Sequence, residues 1–249
     1  MTEILKAPSP PVPGIHEMPE KIKRAPKDTY NPKEVMRRNY EELDFEAPYI
    51  DLMGRPEPKF IAMLYGPPGA GKSTFALRFA EYLANNFGKV YYNSHEERIK
   101  KTIRDRMVSI AFKTRDGRFQ FGDAVPFNTL MDKIRKNHYR FVFIDSVQYM
   151  DFTIEQLQEM TKEFKKRLLS IIMISFGESW GKPTRASDHL FASDIKGFFY
   201  LNEKATYGMA RFYGRYKPQI VNAEVFKVPQ QTLKLHNEIS EEESENKLL

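Results

Sequence analysis

The chain has 249 residues and a formal charge of +6, with 39 Lys and Arg against 33 Asp and Glu. That length suits one large domain or two small ones, and one domain with tails is expected. The sequence holds no cysteine, which excludes disulfides, thiolate-bound zinc, iron–sulfur clusters and thiol nucleophiles, and fits a reducing compartment. The opening MTEILKAPSPPVPG lacks the apolar core of a signal peptide, and no apolar run nears the roughly 18 residues of a membrane span. A soluble, cytoplasmic protein with no membrane partner is the expectation.

Charge is distributed unevenly. Glu238, Glu241, Glu242, Glu243 and Glu245 lie in the last twelve residues beside only Lys247, so the remaining chain carries about +10. That surplus favours polyanionic partners. Residues 238–249 read as an acidic, disordered tail, because like charges without apolar partners cannot offset the entropy of ordering. The tail could reach a protein partner.

Ten of the sixteen prolines fall before residue 59, and proline both removes a donor and forbids helix interiors. Residues 1–42 therefore read as a basic, Pro-rich arm, largely disordered. The aromatics of Asn39 to Ile50 could dock on the domain or on a neighbouring subunit, but composition favours a solvated linker there. Residues 43–237 hold the domain. From residue 59 short apolar runs alternate with amphipathic stretches, the order that predicts an α/β fold with a mostly parallel central sheet flanked by helices. Strands are expected at Phe60 to Tyr65, Val90 to Asn93, Arg118 to Gly122, Phe141 to Ile144, Ser170 to Phe176 and Gly197 to Leu201. Helices are expected at 72–87, 95–113, 127–137 and 153–168, the last with Ile154, Leu157, Met160, Phe164 and Leu168 on one face.

The strongest motif is Gly66-Pro67-Pro68-Gly69-Ala70-Gly71-Lys72-Ser73-Thr74, a match to the P-loop pattern G-x-x-x-x-G-K-[ST] between an expected strand and an expected helix. Backbone N–H groups and the positive helix terminus converge there on one point. Lys72 would reach the β- and γ-phosphates of ATP, and the Ser73 hydroxyl would hold Mg²⁺. The second element is Phe141-Val-Phe-Ile-Asp145, an apolar strand that ends in an acid. Asp145 stands at the carboxyl end of the strand, where open α/β sheets bind ligands, and is placed to hold Mg²⁺ through water. Ser146 follows it, so an acid that activates water has to come from another element.

Val90-Tyr-Tyr-Asn-Ser-His95-Glu96-Glu97 offers that acid, and with the Asp145-Ser-Val-Gln148 ending it resembles the RecA-like ATPases, most closely the RadA, KaiC and replicative-helicase branch. The resemblance implies that Glu96 is the base that polarises attacking water and that Glu97 is its neighbour or substitute. The plainer reading is that both acids complement the dipole at the start of helix 95–113. Related ATPases carry a Lys-x-Arg pair that reaches the nucleotide of the next subunit. Lys217 matches the lysine, whereas Gln219 stands at the place of the arginine, which leaves Arg215 as a substitute. Ser175 and Phe176 depart from the polar sensor the family often places at the end of the fifth strand. Strand alternation also puts Arg211, Tyr213, Arg215 and Lys217 on one face, either a phosphate finger, a nucleic-acid track or a solvated surface.

The resemblance spans roughly residues 43–230 and implies a compact, phage-type recombination ATPase that uses ATP and Mg²⁺, assembles with itself as a ring or filament, and acts on single-stranded DNA. Two alternatives remain open at this point: a small-molecule kinase with a lid in 178–194, which lacks the arginine cluster of such lids, and an ATP-gated scaffold that barely hydrolyses.

Overall fold

The computed structural model describes residues 29–180, 182–204 and 206–227. The expected acidic tail and most of the expected arm lie outside the described residues. Contacts divide the chain into two units, Met1–Tyr40 and Glu41–Leu249. In the first unit the described residues form one short helix, α1 (Pro32–Met36), although this stretch reads as an arm. Local chemistry accounts for the turn. Asn31 caps the Glu34 amide, Glu34 returns a bond to the Asn31 amide, and Pro32 occupies the first turn.

The second unit runs α2 (Tyr49–Met53), β1 (Ile61–Gly66), α3 (Lys72–Asn86), β2 (Lys89–Ser94), α4 (Lys101–Ser109), β3 (Phe119–Asp123) and α5 (Phe127–Lys136). It continues through β4 (Tyr139–Asp145), α6 (Val147–Met150), α7 (Ile154–Glu163), β5 (Ser170–Ser179), β6 (Lys182–Pro183), α8 (Ser187–Ala192), β7 (Ile195–Leu201), β8 (Tyr207–Gly214) and β9 (Val221–Lys227). One sheet follows the order β3-β2-β4-β5-β1-β7-β8-β9, with β6 paired to β5. The strands from β3 to β7 in that order are parallel, and β8 and β9 close the edge antiparallel. The architecture is the expected α/β one.

Parallel strands buried on both faces need apolar residues on both, which is why β1, β4 and β5 read as continuous apolar runs. Ala62 and Leu64 of β1 join one core cluster with Phe75, Phe79 and Leu83 of α3. Met63 and Tyr65 join the other, with Leu130 and Ile134 of α5 and Leu157 and Met160 of α7. The carboxyl ends of β1, β2 and β4 thus come together, and α3 starts at that edge.

Three expectations change. Helix 95–113 shortens to α4, because Arg98 has φ of +59°, outside the right-handed helical region. Helix 153–168 ends at Glu163, and the Arg167 guanidinium caps the neighbouring α5 by donating to the carbonyls of Ile134 at 2.6 Å and Arg135 at 3.0 Å. Residues 43–53 are not a solvated linker. Leu43, Phe45, Tyr49, Leu52 and Met53 are buried in the core of their own chain. Phe45 sits edge-on to Phe60, Phe79 and Tyr82 with ring centroids 5.8–6.3 Å apart, and Tyr49 stacks on Tyr82 at 4.5 Å. The aromatic residues of α3 provide a slot that composition alone does not reveal.

Candidate active site

The loop from Gly66 to Gly71 leaves β1 and enters α3. Gly66 has no room for a side chain, since a Cβ would lie 2.1 Å from the carbonyl oxygen of Phe199. Gly71, the N-cap of α3, has φ of +92°, a conformation glycine adopts without strain. Lys72 follows and is 6% exposed. Its ammonium folds over the loop and donates to the carbonyls of Gly66 and Pro67, both at 2.8 Å. Burial lowers its pKa, while the carboxylates of Glu96 and Asp145 act in the opposite direction.

Facing the loop is a second strand end. Asp145 closes β4 and is 2% exposed, joined to Ser146 by a cis peptide bond. Tyr92 donates to its Oδ2 at 2.7 Å, and Oδ1 is buried without a hydrogen-bond partner. Burial pushes the carboxyl up to about 7, opposed by the Tyr92 hydrogen bond. The Asp145 carbonyl accepts from the amides of His95 at 2.5 Å and Glu96 at 3.0 Å. These bonds tie the loop after β2 to the end of β4.

Glu96 and Glu97 therefore stand on a loop and not in the first turn of a helix, so complementing a helix dipole is not their role. Burial raises the pKa of Glu96, and Lys72 opposes the shift. Glu97 is ion-paired at 2.5 Å with Arg106 of α4. A cleft of about 180 Å³ is lined by Pro68, Gly69, Gly71 to Thr74, Glu96, Glu97 and Arg106. Donor amides, one ammonium, a hydroxyl and two carboxylates thus share one small space, with Asp145 buried behind it. A larger cleft of about 500 Å³ lies between α2, α3 and β9 and is lined mainly by apolar groups such as Tyr49, Leu52, Phe75 and Val225.

The residues fit Mg²⁺ and a polyphosphate. An acid with an orphaned, buried oxygen is costly unless a cation or its water completes it. Asp145 Oδ1 is such an atom, and the Ser73 side of the cleft is the oxygen donor opposite. Lys72 is a cation held only by two neutral carbonyls, a state an anion would improve.

A family model for an AAA domain matches residues 59–186, just over half of the 249. This span contains the loop, both glutamates and Asp145. The chain belongs to that AAA-domain family. Among solved structures it is similar to the KaiC-like protein PH0186 from the hyperthermophile Pyrococcus horikoshii OT3, at 16% identity and a TM-score of 0.58, covering 75% of this chain and 93% of that one. It is also similar to the ATPase domain of a helicase, at 14% identity and a TM-score of 0.53, covering 71% of this chain and 84% of that domain. The fold is that of a RecA-like P-loop domain, a nucleotide-binding architecture. No curated protein sequence matches the chain.

Other expected residues lie elsewhere. β8 ends at Gly214, so Arg215 and Lys217 follow the strand and do not extend its face. Lys217 is outside the cleft of its own chain, and Arg215 pairs at 2.8 Å with Asp194, whose Oδ2 also holds the Ile61 amide. Arg211 lies over the ring of Trp180 at 4.8 Å and bonds Asn222 at 2.9 Å. Tyr213 contacts Trp180 at 4.6 Å between centroids and the Tyr65 hydroxyl at 3.4 Å. The expected open basic face is thus a closed cluster of cations and aromatics. At the end of β5, Gln148 donates to Ser175 Oγ at 2.7 Å and accepts from the Phe176 amide at 3.2 Å. A polar amide from α6 therefore stands beside the strand end that lacks one of its own.

Two residues of the site escape the sequence reading. Tyr92 is reachable only through the strand pairing that sets Tyr92 beside Phe143 and Ser94 beside Asp145. Arg106 occupies an ordinary amphipathic-helix position and carries no motif.

Proposed function

We propose that this protein is a Mg²⁺-dependent ATPase that acts on single-stranded DNA in recombination, repair or replication and works in the cytoplasm as a ring or filament. The observation that carries the reading is the convergence of Lys72, Ser73, Glu96 and buried Asp145 on one cleft. Lys72 and the loop amides bind and orient the β- and γ-phosphates, and Ser73 and Asp145 hold the metal, directly and through water. Bound Mg²⁺ supplies charge neutralisation on the phosphate oxygens. Glu96 takes the proton of a water whose oxygen bonds to the γ-phosphorus, while the bond from that phosphorus to the β,γ-bridging oxygen breaks and ADP leaves. Its raised pKa suits a base that has to accept a proton.

The nucleic-acid part rests on the charge of about +10 before the tail and on the Trp180, Arg211, Tyr213 cluster, a cation–aromatic platform of the kind on which bases stack. Self-assembly is proposed because Lys217 can reach a phosphate site only across a subunit boundary. The deciding experiment is ATP hydrolysis with and without a single-stranded oligonucleotide. Wild type is expected to turn over faster with the oligonucleotide, and Lys72→Ala to be inactive in both conditions. Full activity of Lys72→Ala would move the site elsewhere, and turnover indifferent to DNA would remove the DNA part alone.

A further inference from the structure

We propose that Arg106 is a γ-phosphate ligand supplied in cis, parked on Glu97 until a nucleoside triphosphate enters the P-loop cleft and takes its guanidinium over. The proposal rests on the nucleotide-site reading above and deepens it.

The first observation is position. Arg106 lines the same cleft as Gly69, Lys72, Ser73 and Glu96, although it comes from α4, a helix with no motif. Ile103 and Ile110 are buried and Met107 packs against the core. These three hold one stripe of the helix, and Arg106 stands beside the stripe with a side chain 26% exposed. Its backbone is thus fixed while its long side chain is free to change partner.

The second observation is the incompleteness of its present pair. Nη1 of Arg106 meets Oε1 of Glu97 at 2.5 Å, yet Oε2 of Glu97 is buried with no hydrogen-bond partner. A guanidinium and a carboxylate that serve only to hold each other close as a two-bonded fork. Here one carboxylate oxygen remains orphaned, and one bond leaves most of the five N–H donors of the guanidinium for another acceptor.

The third observation is charge. Glu96, Glu97 and Asp145 oppose Lys72 and Arg106 around the cleft. Without Arg106, three carboxylates would face one ammonium, a poor environment for a polyphosphate. The pair also divides the work of the two adjacent acids. Glu97 holds the arginine, and Glu96, which forms no ion pair within 4 Å among the described residues, is left for water.

The test is equilibrium binding of fluorescent AMP-PNP and fluorescent ADP to the full chain with Mg²⁺, beside steady-state hydrolysis. Arg106→Ala is expected to weaken AMP-PNP roughly tenfold or more, the scale of losing hydrogen bonds to a charged group, with ADP affinity unchanged. Turnover is expected to fall by about 10³, as for other arginines on a γ-phosphate. Arg106→Lys should restore part of the AMP-PNP affinity. Glu97→Gln should tighten AMP-PNP, since the competitor for the guanidinium is weakened. Arg104→Ala, on the same helix but paired with Asp105 outside the cleft, is the control expected to match wild type. Equal losses for ADP and AMP-PNP in Arg106→Ala, no loss at all, or weaker AMP-PNP binding in Glu97→Gln would overturn the proposal. Lys72→Ala separates the two levels: if it binds both nucleotides as wild type does, the nucleotide-site reading itself fails.

Discussion

Tyr92 donates its phenolic hydrogen to Oδ2 of Asp145 at 2.7 Å and leaves Oδ1 of the same buried carboxylate without a partner. The tyrosine is itself fully buried and stacks on Phe143 with ring centroids 5.3 Å apart, so its hydroxyl is aimed by packing. It therefore fixes which carboxylate oxygen faces the cleft. Tyr92→Phe keeps the stacking and removes the hydrogen bond. The expected result is a Mg²⁺ requirement for hydrolysis raised about tenfold or more, the usual scale for a group that orients a metal ligand. Activity at saturating Mg²⁺ should largely recover. A Mg²⁺ titration of both proteins checks this, and coincident curves would reduce Tyr92 to a core residue.

How far such a site can be read in advance depends on how local its determinants are. Gly66 to Thr74 is one continuous string whose spacing encodes its own turn, and Asp145 ends an apolar run, so both are legible without a fold. Glu96 is legible through its neighbours, but its setting is not. Arg98 turns the chain into the left-handed region, and its guanidinium and the Ile99 amide are held by Asp123 from another strand at 3.0 and 3.2 Å. That tertiary contact overrides the helical pattern. Tyr92 and Arg106 become functional only through partners 53 and 9 positions away, which no local pattern announces.

Tertiary context also accounts for the segment before β1 and gives a stability prediction. Phe45 follows acidic, proline-flanked sequence, yet it is 1% exposed because Phe79, Tyr82 and Phe87 surround it. Phe45→Ala is expected to cost about 3–5 kcal/mol, as for other buried phenylalanines, seen as a lowered urea midpoint with unchanged slope. Deleting residues 1–40 should leave that midpoint in place. A small effect of Phe45→Ala would mean that residues 43–53 dock only weakly.

Trp180 is the only tryptophan in the chain, and it lies against Arg211 at 4.8 Å and Tyr213 at 4.6 Å. If single-stranded DNA stacks on this cluster, tryptophan emission must change as oligonucleotide is added. Arg211→Ala should weaken binding, and the slope of log affinity against log salt should fall by about 0.7, the value for one phosphate contact on a single strand. Emission that stays constant while binding proceeds by another measure would place the DNA on a different surface.

His189 of α8 carries the pH prediction. It is 5% exposed, its ring faces Phe152 with centroids 5.8 Å apart, and Nε2 is buried without a partner. Burial lowers its pKa below the ordinary 6.5, against hydrogen bonds to the backbone of Thr153 and Phe152 and the charges of Asp188 and Glu155, which act to raise it. The folded protein thus keeps the ring neutral in a range where the unfolded chain protonates it. Above pH 6.5 neither state binds the proton and the contribution to stability is complete. As pH falls through 6.5, the unfolded state takes up a proton that the native state refuses, and stability declines until the folded pKa is passed. The slope cannot exceed one proton, about 1.4 kcal/mol per pH unit. His189→Leu fills similar space without a titrating group, so its unfolding free energy should decline less steeply than that of wild type between pH 6.5 and 5. Urea titrations of both proteins across that range provide the comparison. Identical slopes would assign the acid sensitivity to carboxylates instead of this ring.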